Sequence, residues 1–323
     1  MLIDSYGRKI TYLRVSVTDR CNLRCFYCSS KDSFAKLPPE KILSYEELYQ
    51  IIKVAVSLGV KRVRLTGGEP LVRKDLVSFV AALAQIPGLE DLALTTNGIL
   101  FASMALDLKK AGLKRVNISL DAITPQKYKE ICGIDALNQV LAGIEKALEV
   151  GFSPVKINMV VMRGLNDDEA IEMARLTLKE PLEVRFIEFM PIGSGAPWEE
   201  DLFMPVSEIE KRLKEVFGEL HPASKIGAGP AKVFTLPGAK GSVGFISAIS
   251  NHFCHKCNRL RLTPEGRLRL CLFSDEEIDL RPFLNQKNPQ EALKEAFLKA
   301  IQRKPSQRSL DTSPKRLMRS IGG

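Results

Sequence analysis

Histidine is almost absent: the 323 residues hold three, His221, His252 and His255. A zinc site built on imidazoles has little to draw on, and near the N-terminus nothing. Long apolar runs are missing too. No stretch approaches about eighteen uninterrupted apolar residues, so no membrane span is expected. Met1 to Lys9 carries Asp4, Arg8 and Lys9 and no apolar core of a secretory leader, which sets the expectation of a cytoplasmic protein. Seven cysteines in a chain of this length, grouped as 21/25/28 and 254/257/271 with Cys132 apart, do not make the disulfide framework of a small secreted domain. They read instead as two metal sites and one structural residue. No internal repeat is visible beyond an alternation of strands and helices.

What is present is a core. With 45% hydrophobic residues, the chain is long enough to bury one large domain, or one with an appendage. A net charge of +9 raises nucleic acid as a partner, so its distribution matters. In the segment 303–323, Arg303, Lys304, Arg308, Lys315, Arg316 and Arg319 stand against Asp311 alone, which puts +5 in the tail and leaves +4 for the body. Such a tail can bind RNA or a membrane surface, fold over an anionic substrate, or stay solvated, and composition alone favours the last.

Strand and helix patterns alternate from residue 13 to about 190. Ser44 with Glu47 forms a capping box that opens a helix to Leu58, with Leu48, Ile51, Ile52 and Ala55 on one face and Gly59 as its stop. Strands are expected at 61–66, 89–95, 114–120, 155–162 and 183–190, and helices at 76–86, 101–111, 137–150 and 167–178. Six such units imply parallel strands with helices outside, an α/β fold built as an incomplete (β/α)6 TIM-type barrel with its chemistry at the carboxyl ends of the strands. A Gly/Pro-rich linker at Gly193 to Trp198 sets a boundary near 192. The expected division is 1–192 for the barrel, 193–302 for a smaller α+β region with helices at 206–217 and 289–301, and 303–323 for the basic tail.

Three thiols within eight residues, Cys21, Cys25 and Cys28, follow the apolar run Leu13 to Val17. Soft thiolates select zinc, copper(I) or iron–sulfur clusters, and without a nearby fourth ligand three sulfurs better suit a cubane with one open iron. Buried apolar cysteines or a disulfide are the plain alternatives. Cys254, Cys257 and Cys271 form a second set of three, in which a zinc site could recruit His252 or His255. Gly67-Gly68-Glu69-Pro70 ends a strand, where bare backbone can approach a ligand and a carboxylate can receive an ammonium group; a plain turn is the competing reading. Arg259 and Arg261 alternate on an extended strand, so both guanidiniums face one side.

The C-x3-C-x2-C spacing, with aromatic Tyr27 before the last cysteine, resembles the signature of radical S-adenosylmethionine (SAM) enzymes. The longer string Leu13-Arg14-Val15-Ser16-Val17-Thr18-Asp19-Arg20-Cys21, together with the C-terminal C-x2-C-x13-C, is similar to the GTP 3',8-cyclase family of molybdenum cofactor biosynthesis. The resemblance implies a lyase with two [4Fe-4S] clusters. Cys21, Cys25 and Cys28 would hold the first, which chelates SAM; Cys254, Cys257 and Cys271 would hold the second, which faces guanine. Tyr27, Gly68, Ser119 and Met190 would line the SAM pocket. Arg14, Arg64, Thr95, Lys156, Arg259, Leu260 and Arg261 would contact GTP. Hydrogen removal at ribose C3' and attack of the sugar on guanine C8 would follow, and a cyclic pyranopterin-forming enzyme would take the product. The electron donor is not named by the resemblance. Neither nucleic acid nor membrane is implied as a partner, and the chain is expected as a monomer or homodimer. The terminal Gly322-Gly323 would thread into the active site. Ser29-Ser30 stands where Met-Pro is expected. The rivals are a radical SAM enzyme acting on peptide or tRNA, a zinc-thiolate nucleic-acid-binding protein, and an electron carrier.

Overall fold

The computed structural model describes residues 1–28, 36–193, 200–224, 227, 229–308 and 314–322. The first two-thirds runs β1 (Tyr12–Ser16), α1 (Tyr45–Ser57), β2 (Arg62–Thr66), α2 (Leu76–Ala84), β3 (Asp91–Thr96), α3 (Phe101–Lys110), β4 (Arg115–Ser119), α4 (Pro125–Cys132), α5 (Leu137–Glu149), β5 (Val155–Val161), α6 (Ala170–Lys179) and β6 (Leu182–Glu188). Then follow α7 (Val206–Phe217), β7 (His221–Pro222), β8 (Lys232–Thr235), β9 (Ser242–Ile246), β10 (Arg259–Leu262), β11 (Arg267–Arg269), β12 (Glu277–Asp279), α8 (Arg281–Leu284), α9 (Pro289–Ile301) and α10 (Met318–Ile321).

Strands β1 to β6 pair in sequence order, all parallel, as the alternation of strands and helices predicts. Beyond residue 192 the chain does not stand beside this sheet but lengthens it at both edges: β10 pairs parallel with β1, and β9 pairs parallel with β6. Antiparallel β11 and β12 continue one edge, and β8 and β7 the other. The order is β12-β11-β10-β1-β2-β3-β4-β5-β6-β9-β8-β7, and among the described residues no pairing joins its two ends, so the barrel stays open.

Period-two alternation explains both faces of the strands. Leu13, Val15, Val63, Leu65, Val116, Ile118, Ile157 and Phe186 are buried in one cluster with Leu48, Ile51 and Ile52 of α1 and Val140 of α5. Each such side chain contributes roughly 1.5–3 kcal/mol of burial. The residues between them, such as Tyr12, Arg14, Arg64, Asn117, Asn158 and Arg185, face a cavity. Helix α1 starts where expected: Ser44 Oγ accepts from the Glu47 amide at 3.2 Å, and the Glu47 carboxylate accepts from the Ser44 amide at 2.7 Å. Gly59, at φ 103°, ends the turn that follows.

Helix α4 is an element that the sequence reading passed over. Pro125 stands in its first turn and Gly133 closes it with φ 75°, the usual punctuation for a short helix. It docks the cysteine loop: the amides of Arg24 and Phe26 donate to the carbonyls of Cys132 and Ile131 at 3.0 and 3.1 Å. The described part of the tail is seated rather than solvated. Arg316 pairs with Glu265 at 2.6 Å and Glu277 at 2.7 Å, and the Gly193 amide donates to Pro314 at 3.0 Å. Ser29-Ser30, most of the linker and Gly323 lie outside the described residues. No helix among the described residues is long and apolar enough to cross a membrane.

Candidate active site

The carboxyl ends of β1 to β6 open onto a cavity of about 340 Å³ whose wall includes all six clustered thiols. Tyr27, Gly68, Ser119 and Met190 are in the same wall, as are Arg14, Arg64, Thr95, Arg259 and Arg261. Two residues expected to contact GTP are not. Leu260 alternates with the two arginines, so its side chain turns to the other face and is buried there at 1% exposure. Lys156 is fully buried, with Nζ on Glu183 Oε2 at 2.5 Å. Glu183 also takes Arg185 Nε at 2.5 Å, so a carboxylate of the fold lies between these two cations. Burial, helped by Arg185 and opposed by Glu183, pulls Lys156 down to about 7.

Glu69 is engaged within the fold. Its carboxylate is buried and accepts from the Leu71 amide at 3.0 Å, Thr96 Oγ1 at 2.7 Å and the Asn97 amide at 2.6 Å, which ties the Gly-Gly-Glu-Pro turn to the turn after β3. It is thus a structural acceptor within the fold. Burial raises it to about 7 against those hydrogen bonds. The glycines are demanded by the protein itself: a Cβ on Gly68 would overlap the Arg20 carbonyl, and one on Gly67 would lie 2.8 Å from the Thr18 carbonyl. Gly68 thereby fastens its turn beside the cysteine loop while its other side lines the cavity.

Around the first thiols, Tyr27 donates to Asp121 Oδ2 at 2.5 Å, and Asp121 Oδ1 accepts from the Val160 amide at 2.8 Å. Asp121 is pushed up to about 6 by burial, against these hydrogen bonds. Burial pushes Cys21 up to about 11 and Cys28 higher still; hydrogen bonding with Cys132, then burial, raises Cys25. Metal binding at these thiols would release the protons they hold. The second set differs in charge. Burial pushes the Cys257 thiol up, but Lys304 and Arg259 more than reverse this and bring it to about 7. Lys304 Nζ is held by the Arg259 carbonyl at 3.0 Å, and the Arg259 guanidinium stacks 4.8 Å from the Phe253 ring.

The donor sets are thiols, which suit soft metals and iron–sulfur clusters. Among the described residues, no three His, Cys, Asp or Glu side chains converge on one ion position, as one tetrahedral zinc would need. His252 lines the cavity with the second set of thiols, and His255 does not. Three cysteines per cubane is the donor set that leaves one iron open.

The same cavity is lined by a row of cations. The register places Arg269, Arg261, Arg14 and Arg64 side by side on β11, β10, β1 and β2. Burial pulls Arg14 down to about 10, with Arg64 and Arg259 adding to the fall and Tyr12 opposing it; burial, then Arg14 and Arg259, pull Arg261 down well below its usual range. Such crowding is relieved by an anion. Arg64 is oriented by Tyr12, whose hydroxyl accepts from Nε at 2.5 Å, and by Thr95 Oγ1 at 3.2 Å. Tyr12 and Arg185 were missed in the sequence; each sits two residues from a strand residue that faces the cavity, Arg14 and Ile187, which was the available signal. The tail reaches this row. Met318 and Arg319 line the cavity, Arg261 Nη1 donates to the Gly322 carbonyl, and Gly322, at φ 74°, lies so close to Thr66 Oγ1 that a Cβ would overlap it.

Residues 15–177 match the Radical SAM superfamily and residues 182–310 match the family Molybdenum Cofactor Synthesis C. Relatives named GTP 3',8-cyclase resemble the chain along its length. That of Thermodesulfovibrio yellowstonii is 46% identical over 321 residues, covering 99% of each chain, and that of Heliobacterium modesticaldum is 49% identical over 328 residues, covering 100% of each. That of Geobacter sulfurreducens is 51% identical over 297 residues, covering 91% of this chain and 90% of the relative. Among solved structures, Streptococcus suis SuiB bound to S-adenosylmethionine superposes with a TM-score of 0.63 at 14% identity, over 91% of this chain and 68% of that one. At that identity the likeness concerns the fold.

Proposed function

The chain belongs to the GTP 3',8-cyclase family of the radical SAM superfamily, and on that premise we infer that it converts GTP to (8S)-3',8-cyclo-7,8-dihydroguanosine 5'-triphosphate in molybdenum cofactor biosynthesis. One observation carries the reading: two sets of three thiols and a row of four arginines line one cavity. Cys21, Cys25 and Cys28 would hold a cluster that, given one electron from an external reductant, would supply the cleavage of SAM to methionine and the radical that removes the ribose C3' hydrogen. Tyr27, braced by Asp121, together with Gly68, Ser119 and Met190, holds SAM. Arg14, Arg64, Arg259 and Arg261 hold the triphosphate, with Thr95 beside Arg64. Cys254, Cys257 and Cys271 carry a second cluster against the purine.

The chain's own contribution is position and dryness. A carbon radical reacts with any hydrogen within reach, so the C3' hydrogen must be presented at contact distance and water kept out. Gly322 against Thr66 and Arg261 favours a tail that completes the wall on the phosphate side. Two clusters, a monomer or homodimer in the cytoplasm, and hand-over to a cyclic pyranopterin-forming enzyme complete the proposal, with 1–192 as the barrel, 193–302 as the carrier of the second thiol set and 303–323 as the closing tail. Anaerobic incubation with GTP, SAM and dithionite tests it: GTP should give an isomer of unchanged mass and new retention, and unaltered GTP contradicts the reading.

A further inference from the structure

Tyr12 is a cavity residue that the reaction above leaves without a task. On β1 it stands in register with Arg259 of β10 on one side and Arg62 of β2 on the other, one residue pair along from the row of Arg261, Arg14 and Arg64. All of these line the cavity, and Tyr12 is 7% exposed. Its hydroxyl oxygen already accepts from Arg64 Nε at 2.5 Å. Guanidinium groups donate and never accept. The charged groups that face the phenol are Arg14 of β1, Arg64 of β2, Arg259 and Arg261 of β10 and Arg185 of β6, and none of them can take its O–H proton.

We propose that the Tyr12 hydroxyl donates a hydrogen bond to the polyphosphate of the bound nucleotide, while its oxygen keeps Arg64 aimed at the same anion. The inference rests on the GTP reading and adds a substrate-positioning residue to it. A phenol suits this place because it gives a donor without adding a further cation to a crowded row, and an O–H···O⁻ bond to phosphate is of the strong, charge-assisted kind.

A pH dependence follows. Burial raises the phenol, but Arg64, Arg14 and Arg259 together outweigh it and bring Tyr12 to about 8. Below that value the O–H is present and anion affinity is level. Above it the phenolate has no proton to donate and sets a negative charge against phosphate, so binding must take up a proton, and affinity falls toward about tenfold per pH unit.

The test uses the cluster-loaded full chain, with inorganic triphosphate and GTP as separate probes in calorimetry from about pH 6.5 to 9. In the wild type both should bind with level affinity up to about pH 8 and weaken above it. Tyr12→Phe should bind both about tenfold more weakly at pH 7, with a level profile through pH 8. Because Tyr12→Phe also leaves Arg64 Nε without its acceptor, 3-fluorotyrosine at position 12 provides a second arm: its more acidic phenol should move the break to lower pH without loss of affinity at pH 6.5. An unchanged break with either replacement overturns the proposal. The two readings separate cleanly: triphosphate binding that breaks through Tyr12 without cyclisation of GTP sinks the cyclase reading alone, whereas cyclisation with Tyr12→Phe binding like wild type sinks this one alone.

Discussion

Arg14 and Arg261 stand opposite each other on adjacent parallel strands, although one comes from the first strand of the chain and the other from the tenth. Their meeting makes the cationic wall, and it exists only because β10 closes onto β1. Arg261→Ala should therefore weaken GTP binding by about 1.5–3 kcal/mol, the range for a charge-assisted hydrogen bond, without unfolding the chain. Calorimetry that gave unchanged affinity would remove Arg261 from the phosphate site.

The two thiol sets should separate in their effects. Cys21→Ser should abolish formation of 5'-deoxyadenosine, because the open iron that binds SAM depends on the first set. Cys271→Ser should still release 5'-deoxyadenosine but yield no cyclised nucleotide. Chromatography of both products after one anaerobic incubation checks this, and identical behaviour of the two variants contradicts the assigned division.

Gly322 needs both its left-handed backbone and its missing side chain, since a Cβ there would overlap Thr66 Oγ1. Gly322→Ala should displace the end of the tail at a cost of about 1–2 kcal/mol in local seating. The expected result is a fall in kcat/KM of roughly tenfold with thermal stability little changed. Unaltered kcat/KM would mean that the tail's seat is irrelevant to turnover.

Glu69 gives a stability test in the cluster-free chain. Its folded value, about 7, lies above the ordinary 4.5 for an exposed glutamate. The native state thus holds the proton longer than the unfolded state does, so this group's contribution is fully present below about pH 4.5 and is lost as pH rises toward 7. Denaturant titrations should show stability declining over that window, and Glu69→Gln should flatten the decline. A wild-type curve that rises there would show that the three hydrogen bonds on the carboxylate outweigh its burial.

Much of this site was legible in the order of residues, because the thiol spacings, the capping box at Ser44 and the alternation at Arg259 and Arg261 are local signals. Lys156 and Glu69 have partners that the sequence does not display, for one shared reason. A sequence displays a charge but not its neighbour, and Glu183 lies across the β5–β6 register while Thr96 and Asn97 lie beyond the next strand. The joining of β9 and β10 to opposite edges of one sheet was hidden likewise, since such pairing is long-range and leaves no local pattern. Tyr12 was overlooked because a tyrosine in an apolar strand passes for core until the surrounding arginines are seen.

The most direct test follows the ribose hydrogen itself. GTP carrying deuterium at C3', incubated anaerobically with the cluster-loaded chain, SAM and dithionite, should give 5'-deoxyadenosine bearing one deuterium alongside a cyclised nucleotide. Unlabelled 5'-deoxyadenosine, or label found there with GTP recovered intact, would contradict the account that this cavity brings SAM to the 3' carbon of GTP.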